Sequence, residues 1–570
     1  MNKQLILVLS ILFLTSFGLA QDPTPTPAPT PKVDDTQNVN PENLQGVPPI
    51  APKYQSDDKS LPDLGRVGVD MMEQKTLSLR DAIAKALENN KDIEVSRQNV
   101  KIAEFDFQAA SGVYEPKFFG QSYYERATVP NLSIFSTNEK ITNDSIVGNL
   151  TYQGFIKKYG STYSVTLSSQ RVTTDNTITL LSPQHNASLS LNFTQPLLRG
   201  RGIDQQRRSI EIAKKNLSLT DTQFRQKSID IIATIQRAYW DLTFSLRNLQ
   251  VQRDGVKDAK EQLAHNKRLV EEGQLAPIDI VAAETQVANL ELAVYDALEV
   301  VNRAENGLKS LIAENKNDSI WGVSLIPTDK VDLVVPNTTL PEALDLALQN
   351  RPELELNETA KEINEVDRKF LTDQTKPQVD FVATYTSSGL AGTQSPNLRP
   401  PFTTSTAPIV VPDYLTGSVF GLPVDILANR YPTFKVGINF NIPFKNETAK
   451  AQLGKNLVEG EKIQTQREQL QQVIQVDVRN ALQSLRTADA RLRTAAISRE
   501  NTVKQYESEQ RKLDAGQSDI YKVLERQTAL MNARSAELRA QTELNKAIAD
   551  LQRATGNSLK ANNVEARLRK

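Results

Sequence analysis

The 570-residue chain has no cysteine, two histidines (His185 and His265), four methionines and two tryptophans. Without cysteine there can be no disulfide, thiol nucleophile, thiolate metal site or lipid-modified N-terminal cysteine. Two imidazoles leave almost no material for a His-based metal centre or a Ser-His catalytic pair, so no enzyme activity and no cofactor are expected. The methionines are few and only Met71 and Met72 are neighbours, which leaves no series of thioethers to conduct copper or silver. Charge of one sign is also missing: 67 basic and 68 acidic side chains give a net charge of -1, and nothing advertises a nucleic-acid partner. After the first twenty residues no run approaches eighteen apolar residues, so a bilayer could be crossed only by a closed barrel. Proline disappears between 202 and 276 and again from 444 onward, leaving room for two very long helices.

What is present begins with "MNKQLILVLSILFLTSFGLA", a basic start, an apolar core and small residues near a cleavage point, which reads as a signal peptide over residues 1–20. Residues 21–70, including "DPTPTPAPTPK", read as a proline-rich disordered leader acting as a tether. An internal repeat follows. "AIAKALENNKDI" from Ala82 aligns with "ALDLALQNRPEL" from Ala343, and "EEGQLAPIDIVAAETQ" from Glu271 aligns with "LDAGQSDIYKVLERQT" from Leu513. The expected units are a first repeat over 71–325, a second over 326–556 and a polar tail over 557–570.

Each repeat reads as two helices, a strand section, a helix of roughly 70 residues, a glycine turn and a further helix. "ASLSLNFTQPL" from Ala187 and "FKVGINFNIPF" from Phe434 alternate apolar and polar residues, with partners expected in "PKFFGQSYYER" and "PQVDFVATYTSSG". "IVGNLTYQG" and "STYSVTLSSQR" suggest an extra hairpin without an assigned place. Val287, Leu290, Val294, Ala297 and Val301 step by three and four residues, as do Ala540, Leu544, Ala547 and Leu551, the spacing of a helix-packing seam. Trp240 reads as packing, and Arg199 and Arg201 mark a strand-to-helix bend.

The twofold repeat, "TQPL" at Thr194 and "NIPF" at Asn441 leading into long helices, and the two glycine-centred turns together resemble the TolC family of outer-membrane efflux and export channels. The resemblance covers about 76–556. It implies a mainly α fold with a β-barrel portion: long antiparallel coiled-coil helices forming a periplasmic α-barrel, and a trimeric transmembrane barrel of twelve strands, four per protomer. It also implies a homotrimer in the outer membrane lipid, docked to a periplasmic adaptor and an inner-membrane pump of RND or ABC type and conducting substrate passively.

Within that resemblance Gly273, Gln274, Leu275 and Ala276, with Gly516, Gln517 and Ser518, stand at the adaptor-contacting tips, and Asp279, Lys522 and Glu525 at the periplasmic constriction. The chain departs from the family where Lys522 takes an acidic position, Ser518 a latch arginine and Leu513 a tyrosine. Lys522 is expected to pair with Glu525 or to reach Asp279 in the neighbouring hairpin. A trimeric structural envelope protein or adhesin without a lumen is the alternative reading. The exported substrate is open.

Overall fold

The computed structural model describes residues 65–132, 138–274, 276–330, 334–399 and 410–564. The signal peptide, nearly all of the proline-rich leader, Leu275 and the last six residues lie outside the described residues.

The first repeat begins with β1 (Asp70–Leu77), α1 (Leu79–Asn89) and α2 (Lys91–Ser111). Strands β2 (Lys117–Pro130), β3 (Lys140–Ile156), β4 (Ser161–Thr174) and β5 (Leu181–Pro196) follow, then α3 (Gln205–Glu271), α4 (Pro277–Ile312) and β6 (Val323–Pro327). The second holds α5 (Leu340–Asn350), α6 (Pro352–Gln374), β7 (Gln378–Gln394), a short α7 (Leu422–Leu427), β8 (Tyr431–Asn441), α8 (Glu447–Asp514) and α9 (Ile520–Ala554). A last turn, α10 (Ser558–Ala561), begins the expected polar tail, and Leu559 and Val564 pack back on the core.

The proline-free stretches do become continuous helices, of 67 residues in α3 and 68 in α8. At 1.5 Å per residue each spans roughly 100 Å. Asp204 starts α3 by accepting the Arg207 N–H at 2.7 Å. Near the sheet α2, α3, α6 and α8 lie side by side; farther away α4 and α9 take the places of α2 and α6. The seams read from the sequence are the buried ones: Val287, Leu290, Ala297 and Val301 in α4, and Ala540, Leu544, Ala547 and Leu551 in α9. Glu537, three residues before Ala540 on the same stripe of α9, meets Arg499 of α8 at 2.6 Å.

The largest core gathers where α1, α2, α3 and β6 meet, around Ile232, Ile235, Tyr239 and Leu242, all fully buried. Burial of each such side chain contributes about 1.5–3 kcal/mol. Trp240 packs edge-on against Tyr239 at 5.4 Å, the packing role expected of it. The Tyr239 hydroxyl lies 2.5 Å from Asp329 and accepts the backbone N–H of Thr328, and burial together with that carboxylate pushes its pKa well above the usual phenol range.

One sheet was not anticipated. β1 and β6 pair in parallel and bind the start of the first repeat to the junction between repeats. A buried charge network secures this region. Arg66 meets Glu305 at 2.8 Å and also donates to Ser324; Lys309 lies 3.8 Å from Glu305; Glu305 accepts the Leu325 N–H at 2.6 Å. Residues from Gly65 on therefore belong to the fold rather than to the leader.

The main sheet runs β2-β3-β4-β5-β7-β8, antiparallel throughout. It holds six strands where four were expected, because the unplaced hairpin enters it as β3 and β4. The expected neighbour of β5 was β2; β4 occupies that place, whereas β7 and β8 pair as expected. The physical reason is that β3 and β4 carry the same two-residue alternation as β5, and Gly160, at φ +68°, lets the chain reverse between them.

The charge network generates the first prediction. Arg66→Met leaves Glu305 short of its closest cation, and the thermal midpoint of the purified protein should fall by an amount corresponding to roughly 3 kcal/mol. Adding Glu305→Gln should restore part of that loss.

Candidate functional site

Each long helix ends in a turn of the same construction. At the first tip Gly273 sits at φ +75°, the Gln274 N–H reaches back to the Leu269 carbonyl at 2.8 Å, and the Gly273 N–H reaches Val270 at 3.0 Å. At the second, Gly516 sits at φ +71°, with Gln517 N–H to Lys512 at 2.8 Å and Gly516 N–H to Leu513 at 2.9 Å. This is the paired hydrogen-bond closure that glycine makes at helix ends, and a side chain there would be strained although open space surrounds both positions.

The helices that return from the tips are started by acidic residues. Asp279 accepts the Ala276 N–H at 3.1 Å, with Pro277 in the first turn where its missing N–H costs nothing. Asp519 accepts the Lys522 N–H at 3.0 Å, and its other oxygen binds the Lys522 ammonium at 2.8 Å. Lys522 therefore pairs with Asp519 within its own turn, not with Glu525 or Asp279, among the described ion pairs of one chain. The arrangement follows from reach: a helix-capping carboxylate three residues away is already ordered beside the ammonium.

Ser518 donates to Glu509, which Lys512 also meets at 3.3 Å. The Ser518 hydrogen bond, with the lysines nearby, holds the Glu509 carboxyl below its ordinary value; Lys522 does the same for Asp519, whose presence raises the Lys522 pKa in turn. Gln274, Ala276 and Gln517 are exposed, and Ser518 is half-buried.

The two tips lie together. The first turns of α4 and α9 flank a groove lined by Ile278, Val281, Gln286, Tyr521, Glu525 and Thr528, and the Gln286 amide donates to Thr528 at 2.9 Å across it. Behind the groove Leu513, Ile520, Val523 and Leu524 form a small core with Ala282 and Tyr506. Of the three residues expected at the constriction, Glu525 faces this groove, while Asp279 and Lys522 are engaged as helix-start groups. Sequence reasoning passed over Ile278, Val281 and Tyr521, which are 62%, 53% and 55% exposed. The available signal was that these large apolar residues lie off the buried seams.

At the other end of the rods the sheet has two chemically different faces. Leu150, Leu167 and Leu189 stand in one cross-strand row, and the row one residue away reads Asn149, Ser168 and Ser188. The cavities of the sheet open on the polar side, lined by Asn149, Ser168, Asn186, Ser188 and Ser388, which marks it as concave. The apolar side is convex and carries the exposed large apolar residues Phe118, Ile146, Phe434, Val436, Ile438 and Phe440. Among the described residues no helix is long and apolar enough to cross a membrane, and no group of acidic or histidine residues is arranged to hold a metal.

The sequence profile named outer membrane efflux protein matches residues 162–314 and 343–557. The chain belongs to this family. Its fold agrees with three solved channels. OprN, described as an outer-membrane channel, is 15% identical and superposes with a TM-score of 0.59, over 89% of this chain and 99% of that one. The CmeC outer membrane channel of Campylobacter jejuni is 14% identical with a TM-score of 0.59, over 85% and 90% of the two chains. The MtrE outer membrane channel of Neisseria gonorrhoeae, solved in an open state, is 16% identical with a TM-score of 0.54, over 84% and 89%. No curated protein matches the chain. The protein is thus an outer-membrane efflux protein whose long helices extend away from its sheet.

The tip electrostatics set a pH expectation. Asp519 and Glu509 are held below their ordinary pKa values in the folded tip, so their contribution is present above the unfolded carboxylate value and is lost as pH falls through the folded one. Hydrogen-exchange protection of residues 516–522 should hold from neutrality down to about pH 4 and fall away below it. Lys522→Gln should move that loss to higher pH.

Proposed function

We propose that this protein is the outer-membrane channel of a tripartite efflux or type I secretion assembly, a homotrimer that passively conducts cargo delivered by a periplasmic adaptor and an inner-membrane pump of RND or ABC class. The observation that carries the reading is that one chain joins a sheet with an apolar convex face and a polar concave face to two helices roughly 100 Å long, each turned back at its tip by a shorter one. A protein meant only as a rod has no use for a polar concave surface inside an apolar one, so this feature favours a conduit over the adhesin reading.

In this proposal the repeats over 71–325 and 326–556 each contribute one hairpin. Three copies, with four helices side by side at each level, would close a helical tube. The tips at Gly273, Gln274, Ala276, Gly516, Gln517 and Ser518 are offered to the adaptor, and the exposed Ile278, Val281 and Tyr521 give that contact apolar area beside the turns. Leu275 keeps its place in the expected tip by sequence alone. Glu525, repeated three times around the axis, would concentrate negative potential at the constriction and favour cations. Asp279 and Lys522 would support the constriction by starting and bracing the helices that form it.

Single-channel recording of the mature protein in planar bilayers tests the proposal. The parent should give discrete, cation-favouring steps, and Glu525→Ala should lose much of that preference. Lys522→Glu, which places a second carboxylate beside Asp519, should raise resting conductance. A trimeric, inserted protein that stays silent in all three forms would instead support the rod without a lumen.

A further inference from the structure

We propose that the membrane wall is an eighteen-stranded barrel, made of three six-stranded sheets with β2 of each copy hydrogen-bonded to β8 of the next. The inference rests on the trimeric channel reading above and departs from the twelve strands that the family resemblance implies.

The register carries the argument. Phe118, Tyr152, Val165, Leu191, Tyr385 and Phe434 stand opposite one another across all six strands, and every one is apolar or aromatic. One residue along, the row reads Phe119, Thr151, Thr166, Ser190, Thr386 and Thr433, hydroxyl-bearing in five of six strands. Thr151 and Thr166 are hydrogen-bonded at 3.1 Å, and Ser190 and Thr386 at 2.9 Å, so this polar row is also linked strand to strand. Strands β3 and β4 therefore obey the same inside-outside rule as the strands on either side of them. A hairpin lying across the mouth or plugging the lumen would not align Leu150 and Leu167 with Leu189 of its neighbour. The hairpin is wall.

The edges point to what completes that wall. Among the described residues β2 and β8 each have one ladder partner, and both are exposed along almost their whole length. Bare backbone edges cannot stand in hydrocarbon. β2 leaves the helical end of the molecule and β8 returns to it, so they run in opposite directions, and a second copy can continue the antiparallel ladder without a reversal. With six strands per copy the polarity closes after any number of copies. No other partner is needed to satisfy both edges.

Width follows from count. With strands about 4.8 Å apart and tilted about 40°, eighteen strands give a backbone diameter of roughly 36 Å, against roughly 24 Å for twelve. The luminal side is lined mainly by hydroxyl and amide side chains, which hold water without selecting charge. An exit of this width and chemistry suits large hydrated cargo, including polymers, and leaves selection to the entrance.

The chain has no cysteine, so introduced thiols report adjacency directly. In the full-length protein in membranes, Gln121→Cys combined in turn with Thr433→Cys, Lys435→Cys, Gly437→Cys or Asn439→Cys should yield disulfide-linked multimers for one register. Gln121→Cys with Ser188→Cys should not close within a chain, because β3 and β4 place these positions three strand spacings apart, roughly 14 Å, beyond disulfide reach. The reverse pattern would overturn the proposal. As a second measurement, neutral polymers added from the outer side should enter the parent at diameters roughly 10 Å larger than they enter a variant lacking residues 133–176. Equal cut-offs would also overturn it. Cross-linking as expected in a protein that passes no ions would keep the wall and reject the channel; conduction without β2–β8 links would do the opposite.

Discussion

A backbone amide in hydrocarbon has no water to turn to, and that constraint organises the molecule. Within the sheet the ladders from β2 to β8 satisfy the interior strands, and alternation sorts apolar side chains to one side and polar ones to the other. The same constraint makes the single chain incomplete, since its two outer strands are left with one ladder each. Everything below the sheet follows from holding such a partial wall in place. The strands must return to rods that lie side by side, and the rods must be stiff enough to keep neighbouring copies in line.

The helical part meets that demand with small seam residues and a few well-placed polar anchors. Ala297, Ala540 and Ala547 let axes approach, while the Arg499–Glu537 ion pair ties α8 to α9 beside the seam. Midway, the parallel pairing of β1 and β6 and the Arg66, Glu305 and Lys309 network join the first residues of the fold to α4. Burial lowers the pKa of Lys309, partly offset by Glu305, which is the ordinary balance for an ammonium taken out of water beside a carboxylate. Such a network adds less net stability than apolar packing of equal size, but it tolerates few alternative arrangements.

Much of this was legible in the sequence where a single period or a single residue type dominates. Proline-free stretches set the lengths of α3 and α8, three-and-four spacing identified the seams, and glycine at two aligned places identified the tips. What escaped depends on which segments meet. "STYSVTLSSQR" announced a strand, but its place between β2 and β5 is a long-range choice that local alternation does not encode. The run "VSLIP" at Val323 is too short to declare a parallel partner about 250 residues earlier. At the tips the sequence showed the charges without their pairing: Asp279 and Lys522 looked free to meet, and capping geometry had already given each a nearer role.

The two long helices differ by one residue, 67 against 68. Each departs from the sheet just after its last strand, so over roughly 100 Å their ends differ by about 1.5 Å in rise. The chain thus carries a length standard in duplicate. Legs of nearly equal length bring both tips of the chain to one level, and in the proposed trimer they would make that foot a level ring. An insertion in one leg alone would tip the ring, and a single residue would also turn the seam by about 100°, so change in these rods must come in matched pairs and in whole turns.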